Sequence, residues 1–381
     1  MTPAVSTAPQ PHGGTTPPMA ASPASPLPAP SAGATAAARD AAAGPAVSAA
    51  SGAAEARLAI DSFDRAFYDE RAGKGRFLET TAGGHTQFWK QAEMLEMVED
   101  ACERSGDPTY RRMIGQLRAG IVARFGTDWL HDQYNDDVMW MVIAFLRAYR
   151  LTGDRSYRTQ ARSTFDRVWA RSYDTDLGGG LWWSTSRREK NACVTAPAAL
   201  AACQIARDYN SVSYLRKAIV LFGWLQRTLY DPKSGAVSDH ICRVGGTVTI
   251  DHSTYTYNQG TFIGAAGLLY DATGKHSYYD EAMQALRYTR DALTTGGTLR
   301  SEGSGGDGGG FKGIFIRWAT RFTRHHGIVT FDPWFTLNAD AVWAHRNARG
   351  LTGQDWAALT QPAHLHSFDC SSAVVMLQAR P

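Results

Sequence analysis

The sequence holds no uninterrupted apolar run approaching the roughly 20 residues that a bilayer-spanning helix needs, so no membrane span is expected. An excess of one charge is missing too. The 39 Lys and Arg residues stand against 36 Asp and Glu, a formal charge of +3 over 381 residues. That balance supplies no field to hold a phosphate backbone by counterion release, which argues against a nucleic-acid partner. Cysteine is scarce: Cys102, Cys193, Cys203, Cys242 and Cys370 form an odd set without a close CxxC pair. Neither a zinc site nor a complete disulfide framework is signalled. Cys193 and Cys203 sit on one helical segment, about 15 Å apart at the helical rise, beyond disulfide reach. No spacing of Asp, His or Cys matches a zinc or calcium motif, so neither a metal nor a cofactor is expected.

What is present is 44% hydrophobic residues with 11% aromatics, the make-up of one large globular domain or two ordinary ones. Met1 to Ala54 departs from it, being almost entirely Ala, Pro, Ser, Thr and Gly. Such a segment buries too little surface to offset its ordering entropy and is expected to be a disordered tail, leaving residues 55–381 as the folded domain. It carries neither a charged n-region followed by an apolar h-region nor a twin arginine. Together with the unpaired cysteines this favours a cytoplasmic location, or an envelope or secreted one if the true start lies elsewhere.

From Glu55 onward the apolar periodicity is helical, with about twelve segments of roughly 15 to 20 residues, from Glu55–Ala72 to Ser367–Gln378. No run of strands competes. Tyr149-Arg-Leu-Thr-Gly-Asp-Arg-Ser-Tyr157 echoes Tyr270-Asp-Ala-Thr-Gly-Lys-His-Ser-Tyr278, and both read as short turns in which Gly stops the first helix. Related turns lie at Arg104-Ser-Gly-Asp-Pro-Thr-Tyr110 and Leu351-Thr-Gly-Gln-Asp-Trp356. The helix before each turn is apolar all round, as in Val138 to Leu146, and the helix after it is charged on one side. Buried helices alternating with half-wet ones give an all-α fold, an (α/α)6 toroid of two concentric rings. The long loops, at 126–133, 173–188, 231–254, 296–310 and 350–366, then gather at the opposite end from the short turns.

The inner helices start at that long-loop end, so the residues of their first turns converge on one cleft. There the sequence places His85 and Gln87; Asn135, Asp136 and Asp137; Lys190 and Asn191; Tyr257, Asn258 and Gln259; Phe311 and Lys312; and Asp369. Asn and Asp are ordinary helix caps, but their recurrence on several inner helices exceeds what capping requires. Asp136 and Asp137 are the sharpest feature, because two adjacent carboxylates repel where desolvation makes repulsion costly. A retaining glycosidase needs two carboxyls roughly 5 to 5.5 Å apart, a separation that neighbouring side chains can reach. Coupling raises one pKa, as an acid requires, while the helix dipole keeps the other group ionised. Trp129, Trp182, Trp183, Tyr255, Tyr257, Phe311 and Trp334 fall in or beside the long loops, where flat rings can stack on sugar faces.

The strings Tyr134-Asn-Asp-Asp-Val-Met-Trp140, Gly178-Gly-Gly-Leu-Trp-Trp183, Lys190-Asn191, Tyr255-Thr-Tyr-Asn-Gln-Gly260 and Phe311-Lys-Gly313 together resemble glycoside hydrolase family 76. The resemblance implies an (α/α)6 endo-α-1,6-mannanase acting with retention, with transglycosylation on α-mannosyl glycans as the alternative. It implies Asp136 as nucleophile and Asp137 as general acid/base. Trp182, Trp183, Lys190, Asn191, Tyr257, Asn258, Gln259, Phe311 and Lys312 would bind an α-mannan or a mannose-containing oligosaccharide, the protein acting as a monomer. The family's habit of export favours the envelope, against the reading of the tail. Two rivals stand beside this. One is sugar epimerisation or uronyl hydrolysis on the same toroid, with His85, His131, His240, His252 or the His325-His326 pair as bases. The other is a non-catalytic glycan-binding protein. Neither needs the Asp136-Asp137 pair.

Overall fold

The computed structural model describes residues 44–381, with side chains from residue 51 onward. The disorder expected of residues 1–43 lies outside the described residues. Twelve helices follow: α1 Gly44–Phe67, α2 Phe88–Ser105, α3 Pro108–Phe125, α4 Asn135–Thr152, α5 Arg155–Ser172, α6 Ala192–Tyr209, α7 Val212–Thr228, α8 Thr256–Thr273, α9 His276–Ala292, α10 Gly308–His325, α11 Asp332–Ala344 and α12 Ser367–Gln378. Because α1 begins at Gly44, residues 44–54 are helical rather than part of a tail. Ala-rich sequence extends a helix at little cost once a neighbouring segment is anchored, here by buried Ala56, Ile60, Phe63 and Phe67.

Helices α2, α4, α6, α8, α10 and α12 each pack on the next, and α12 returns to α2, closing an inner ring. Helices α3, α5, α7, α9 and α11 pack outside α2, α4, α6, α8 and α12. The sequence dictates this sorting: α4 is buried without a break from Val138 to Ala148, whereas α5 buries one stripe through Tyr157, Ala161, Phe165 and Val168. Gly106, Gly153 and Gly274, with φ of 67°, 75° and 70°, end three of the inner helices in the left-handed conformation. The Leu351–Trp356 segment is different. Helix α11 ends at Ala344, so Gly353 caps no helix, and the segment belongs to a long loop that drives Trp356 fully into the core.

The expectation of no strands fails in the connections between helices. There are two hairpins, β1 Tyr68–Arg71 with β2 Lys74–Phe77 and β6 Thr294–Thr295 with β7 Thr298–Leu299, and an antiparallel sheet of β3 Glu189–Asn191, β4 His240–Val244 and β5 Thr247–Asp251. Gly245 and Gly246, both at positive φ, form the two-residue turn between β4 and β5, a hairpin signal that the helical pattern overshadowed.

Two features tie the ring together. Gly260, Gly264 and Gly267 of α8 leave no room for a Cβ against Phe315, Trp318 and Phe322 of α10, so these two inner helices meet at close range. Along α2, Glu93, Glu96 and Asp100 point to the ring's interior, with the exposed Glu103 at its edge, and meet Arg147 of α4 and Arg317 of α10. Arg147 reaches Asp100 at 2.6 Å and Glu103 at 2.8 Å; Arg317 reaches Glu93 at 2.7 Å and Asp100 at 3.0 Å. The ends of the domain also meet: Arg380 pairs with Glu55 at 2.6 Å, and Gln378 donates to the Ala56 carbonyl. Among the described residues, no helix is long and apolar enough to cross a membrane.

Candidate active site

Helix α4 opens without a side-chain cap. Tyr134 is extended, and Asn135 turns away from the cleft, donating to the Trp182 carbonyl at 2.8 Å and accepting from Arg171 at 2.6 Å. The next two side chains, Asp136 and Asp137, therefore face the cleft from the positive end of a helix that is otherwise core. Both carboxyls are held above the ordinary carboxylate range, chiefly by desolvation. Asp137 rises further, because Asp136, Asp132 and Asp307 crowd it with like charge. Around Asp136, the Trp183 indole, the Cys193 thiol and the first amides of the helix oppose the rise. Its Oδ1 still has no full hydrogen-bond partner. The environment thus separates the pair, with Asp137 the more readily protonated and Asp136 the more readily ionised.

The cleft above them has a volume of about 410 Å³ and is walled by first turns of inner helices and by the loops that feed them. Gln87 and Trp89 come from the start of α2, Trp140 from α4, Cys193 from α6, Tyr257 from α8, and Asp307 and Phe311 from the start of α10. The sixth inner helix acts indirectly: Asp369 accepts from Ser304 and the Gly305 amide, fixing the loop that carries Asp307. A larger hollow of about 510 Å³ beside β1 and β2 has Asp69 as its single carboxyl and lies away from the pair.

Of the substrate-binding candidates, Trp183, Asn191, Tyr257 and Phe311 line the cleft, and the Tyr257 and Phe311 rings stack 3.9 Å apart. Trp182, Lys190, Asn258, Gln259 and Lys312 do not. Backbone alternation explains the first two: in extended chain, neighbours point to opposite sides, so Trp183 faces the cleft and Trp182 turns in, while Glu189 and Asn191 flank an inward Lys190. Lys190 is fully buried and donates to Asp174 Oδ1 at 2.6 Å and to the Asp176 and Gly179 carbonyls at 2.8 Å. Trp182 donates to the same Asp174 carboxylate at 2.6 Å. On α8 the helical turn aims Asn258 at Asp239, at 3.0 Å, and Gln259 at the backbone of Gly235 and Val237. Lys312 donates to the Gln354 carbonyl over the Trp356 ring, and desolvation brings its ammonium down to about 7. All five fasten loops behind the cleft rather than touch its contents. Trp129 and Trp334 are core residues packed on Phe145 and Phe315, and Tyr255 backs Phe311. His85 bonds Arg76 outside the cleft.

Sequence reasoning missed Glu189 and Asp239 and placed His240 only in a rival scheme. The three form a chain across the β3–β4 rim. His240 Nδ1 lies 2.9 Å from Asp239 Oδ2, and its Nε2 lies 3.6 Å from Glu189 Oε2. Asn191 donates to Glu189 at 3.2 Å. The only sequence signal for them was the Gly245-Gly246 hairpin that brings β4 beside β3.

Residues 51–375 match the profile of glycosyl hydrolase family 76. The chain belongs to that family. It is 31% identical to the α-1,6-mannanase of Salegentibacter sp. HEL1_6, with a TM-score of 0.80 over 86% of this chain and 98% of that one. A variant of that enzyme with two adjacent aspartates changed to asparagine is described as inactive and was solved with α-1,6-mannotriose. A protein of Schizosaccharomyces pombe named as a mannan endo-1,6-α-mannosidase is 22% identical over 74% of this chain and 70% of its own length. The family 76 chain thus carries a glycosidase fold with a paired carboxylate at its cleft floor.

Proposed function

We propose that the protein hydrolyses internal α-1,6-mannosidic linkages of a mannan with retention of anomeric configuration. The observation that carries this is the Asp136-Asp137 pair in the first turn of α4, its two carboxyls made unequal by their surroundings, below a wall of Trp183, Tyr257 and Phe311. The ionised Asp136 attacks the anomeric carbon as Asp137 passes its proton to the departing 6-oxygen, giving a mannosyl ester on Asp136. Asp137, now ionised, takes a proton from the water that opens the ester, and both groups return to their starting states.

Proton NMR of early digestion of α-1,6-mannan tests the reading. New reducing ends should appear first as the α anomer, on products of intermediate size. A β anomer would overturn double displacement, and release of single mannose units would overturn internal cleavage. With an α-mannosyl donor that carries a good leaving group, Asp137→Ala should accumulate a covalent intermediate and Asp136→Ala should not.

A further inference from the structure

The glycine seam between α8 and α10 runs to the end of the ring opposite the cleft and finishes in ionisable groups. On α8 the residues facing α10 are Gly260, Gly264 and Gly267, and one more turn brings Asp271. On α10 the opposing stripe of Phe315, Trp318 and Phe322 continues to His326, with His325 beside it. Asp271 Oδ2 lies 3.3 Å from His325 Nε2, and Asp271 Oδ1 lies 3.6 Å from His326 Nε2. One donor atom from each of the three lies within 4.8 Å of the other two. Tetrahedral ligands at zinc bond lengths of about 2.0–2.2 Å stand about 3.3–3.6 Å apart, so these donors already sit near the edges of a coordination shell.

We infer that Asp271, His325 and His326 form a binding site for a divalent transition cation of the zinc class, a water completing the ligand set. Two further observations support it. The His326 ring is held in place by Phe322, Tyr270 and Tyr279, with centroids 4.9, 5.4 and 5.7 Å away. Asp271 lies in the last turn of α8, where the helix dipole disfavours a carboxylate and a cation relieves the conflict. The adjoining cavity of about 370 Å³ is also faced by Arg207, Arg321, Arg324 and Glu103. Those guanidiniums are engaged: Arg321 by Glu103, Arg324 by the Ala379 and Arg380 carbonyls, Arg207 by Asp208 at 3.6 Å. No spacing motif announced the site, because Asp271 is far from the histidines in sequence and joins them through the α8–α10 seam alone.

The test is calorimetric titration of Zn²⁺ into the metal-stripped full chain, with Co²⁺ as a spectroscopic probe. One Zn²⁺ per chain should bind, Co²⁺ should give the visible absorption of a tetrahedral site, and Zn²⁺ should raise Tm. His325→Ala and His326→Ala should each weaken binding about tenfold or more and abolish the Tm rise. Hydrolysis of α-1,6-mannan should persist in both, since Tyr257 and Phe311 lie at the far ends of the same helices. Zn²⁺ uptake that survives His326→Ala in a variant of unchanged circular dichroism, or no saturable uptake by the unaltered chain, overturns the site.

Discussion

The Lys190 ammonium donates to Asp174 Oδ1 over 2.6 Å from a side chain with no solvent exposure. Its other partners are carbonyls of the same 173–181 loop, so one buried cation gathers the segment that presents Trp183. Lys190→Ala should therefore act through folding, depriving the Asp174 carboxylate of its buried cation and several loop carbonyls of their donor, at about 3–5 kcal/mol. Denaturant unfolding would show that loss. Trp183→Ala should leave the unfolding midpoint nearly unchanged and lower kcat/KM about tenfold, about 1.4 kcal/mol of lost stacking.

The raised Asp137 carboxyl fixes the sign of two pH effects. The proposed cycle needs Asp137 protonated, so activity should fall as pH rises through its pKa. Asp307→Asn removes one crowding charge and should move that alkaline limb to lower pH, as read from kcat/KM profiles. For stability, the folded Asp137 keeps its proton longer than the unfolded one. Its penalty is absent below the ordinary carboxylate pKa near 4 and grows as pH rises toward the folded value. Asp137→Asn should raise Tm at neutral pH and not at pH 3, while lowering kcat by about 10²–10⁴.

Asp239 accepts from Asn258 and His240 and faces the cleft. Asp239→Ala should cost about 1.5–3 kcal/mol in kcat/KM, the range of a charged hydrogen bond, in a folded protein. An unchanged kcat/KM with α-1,6-mannan would return Asp239 to a purely supporting part.

The fold was legible because its signals are local. Gly106, Gly153 and Gly274 announce where inner helices stop, and unbroken apolar runs such as Val138 to Leu146 announce which helices are inner. Asp136 and Asp137 were legible for a different reason, since two carboxylates opening an apolar helix conflict with stability alone. The walls were less so. Whether Trp182 or Trp183 reaches the cleft depends on the phase of a short extended segment, and Lys190 between Glu189 and Asn191 poses the same question. Asp239 and His240 arrive by tertiary pairing of β4 with β3, which no periodicity encodes. The acidic stripe Glu93, Glu96, Asp100 and Glu103 has the spacing of a solvated face. From Glu93 to Asp100 it is interior because Arg147 and Arg317, from other helices, meet it there, and only Glu103 stays exposed.

The Arg380–Glu55 pair, with Gln378 on the Ala56 carbonyl, makes the domain's first and last helices neighbours. A ring whose ends touch has no privileged starting point. The polypeptide order is one of many ways of cutting a closed circuit. A circular permutant that joins Arg380 to α1 by a short Gly-Ser bridge and opens between Gly245 and Gly246, at the exposed tip of the β4–β5 hairpin, should fold with native helix content. It should also keep its hydrolytic site, since that hairpin's cleft-facing residues, Asp239 and His240, lie at its other end. Removing α12 instead should collapse the whole toroid in one transition. A closed ring that loses one member leaves every other inner helix short of the enclosure that buries it.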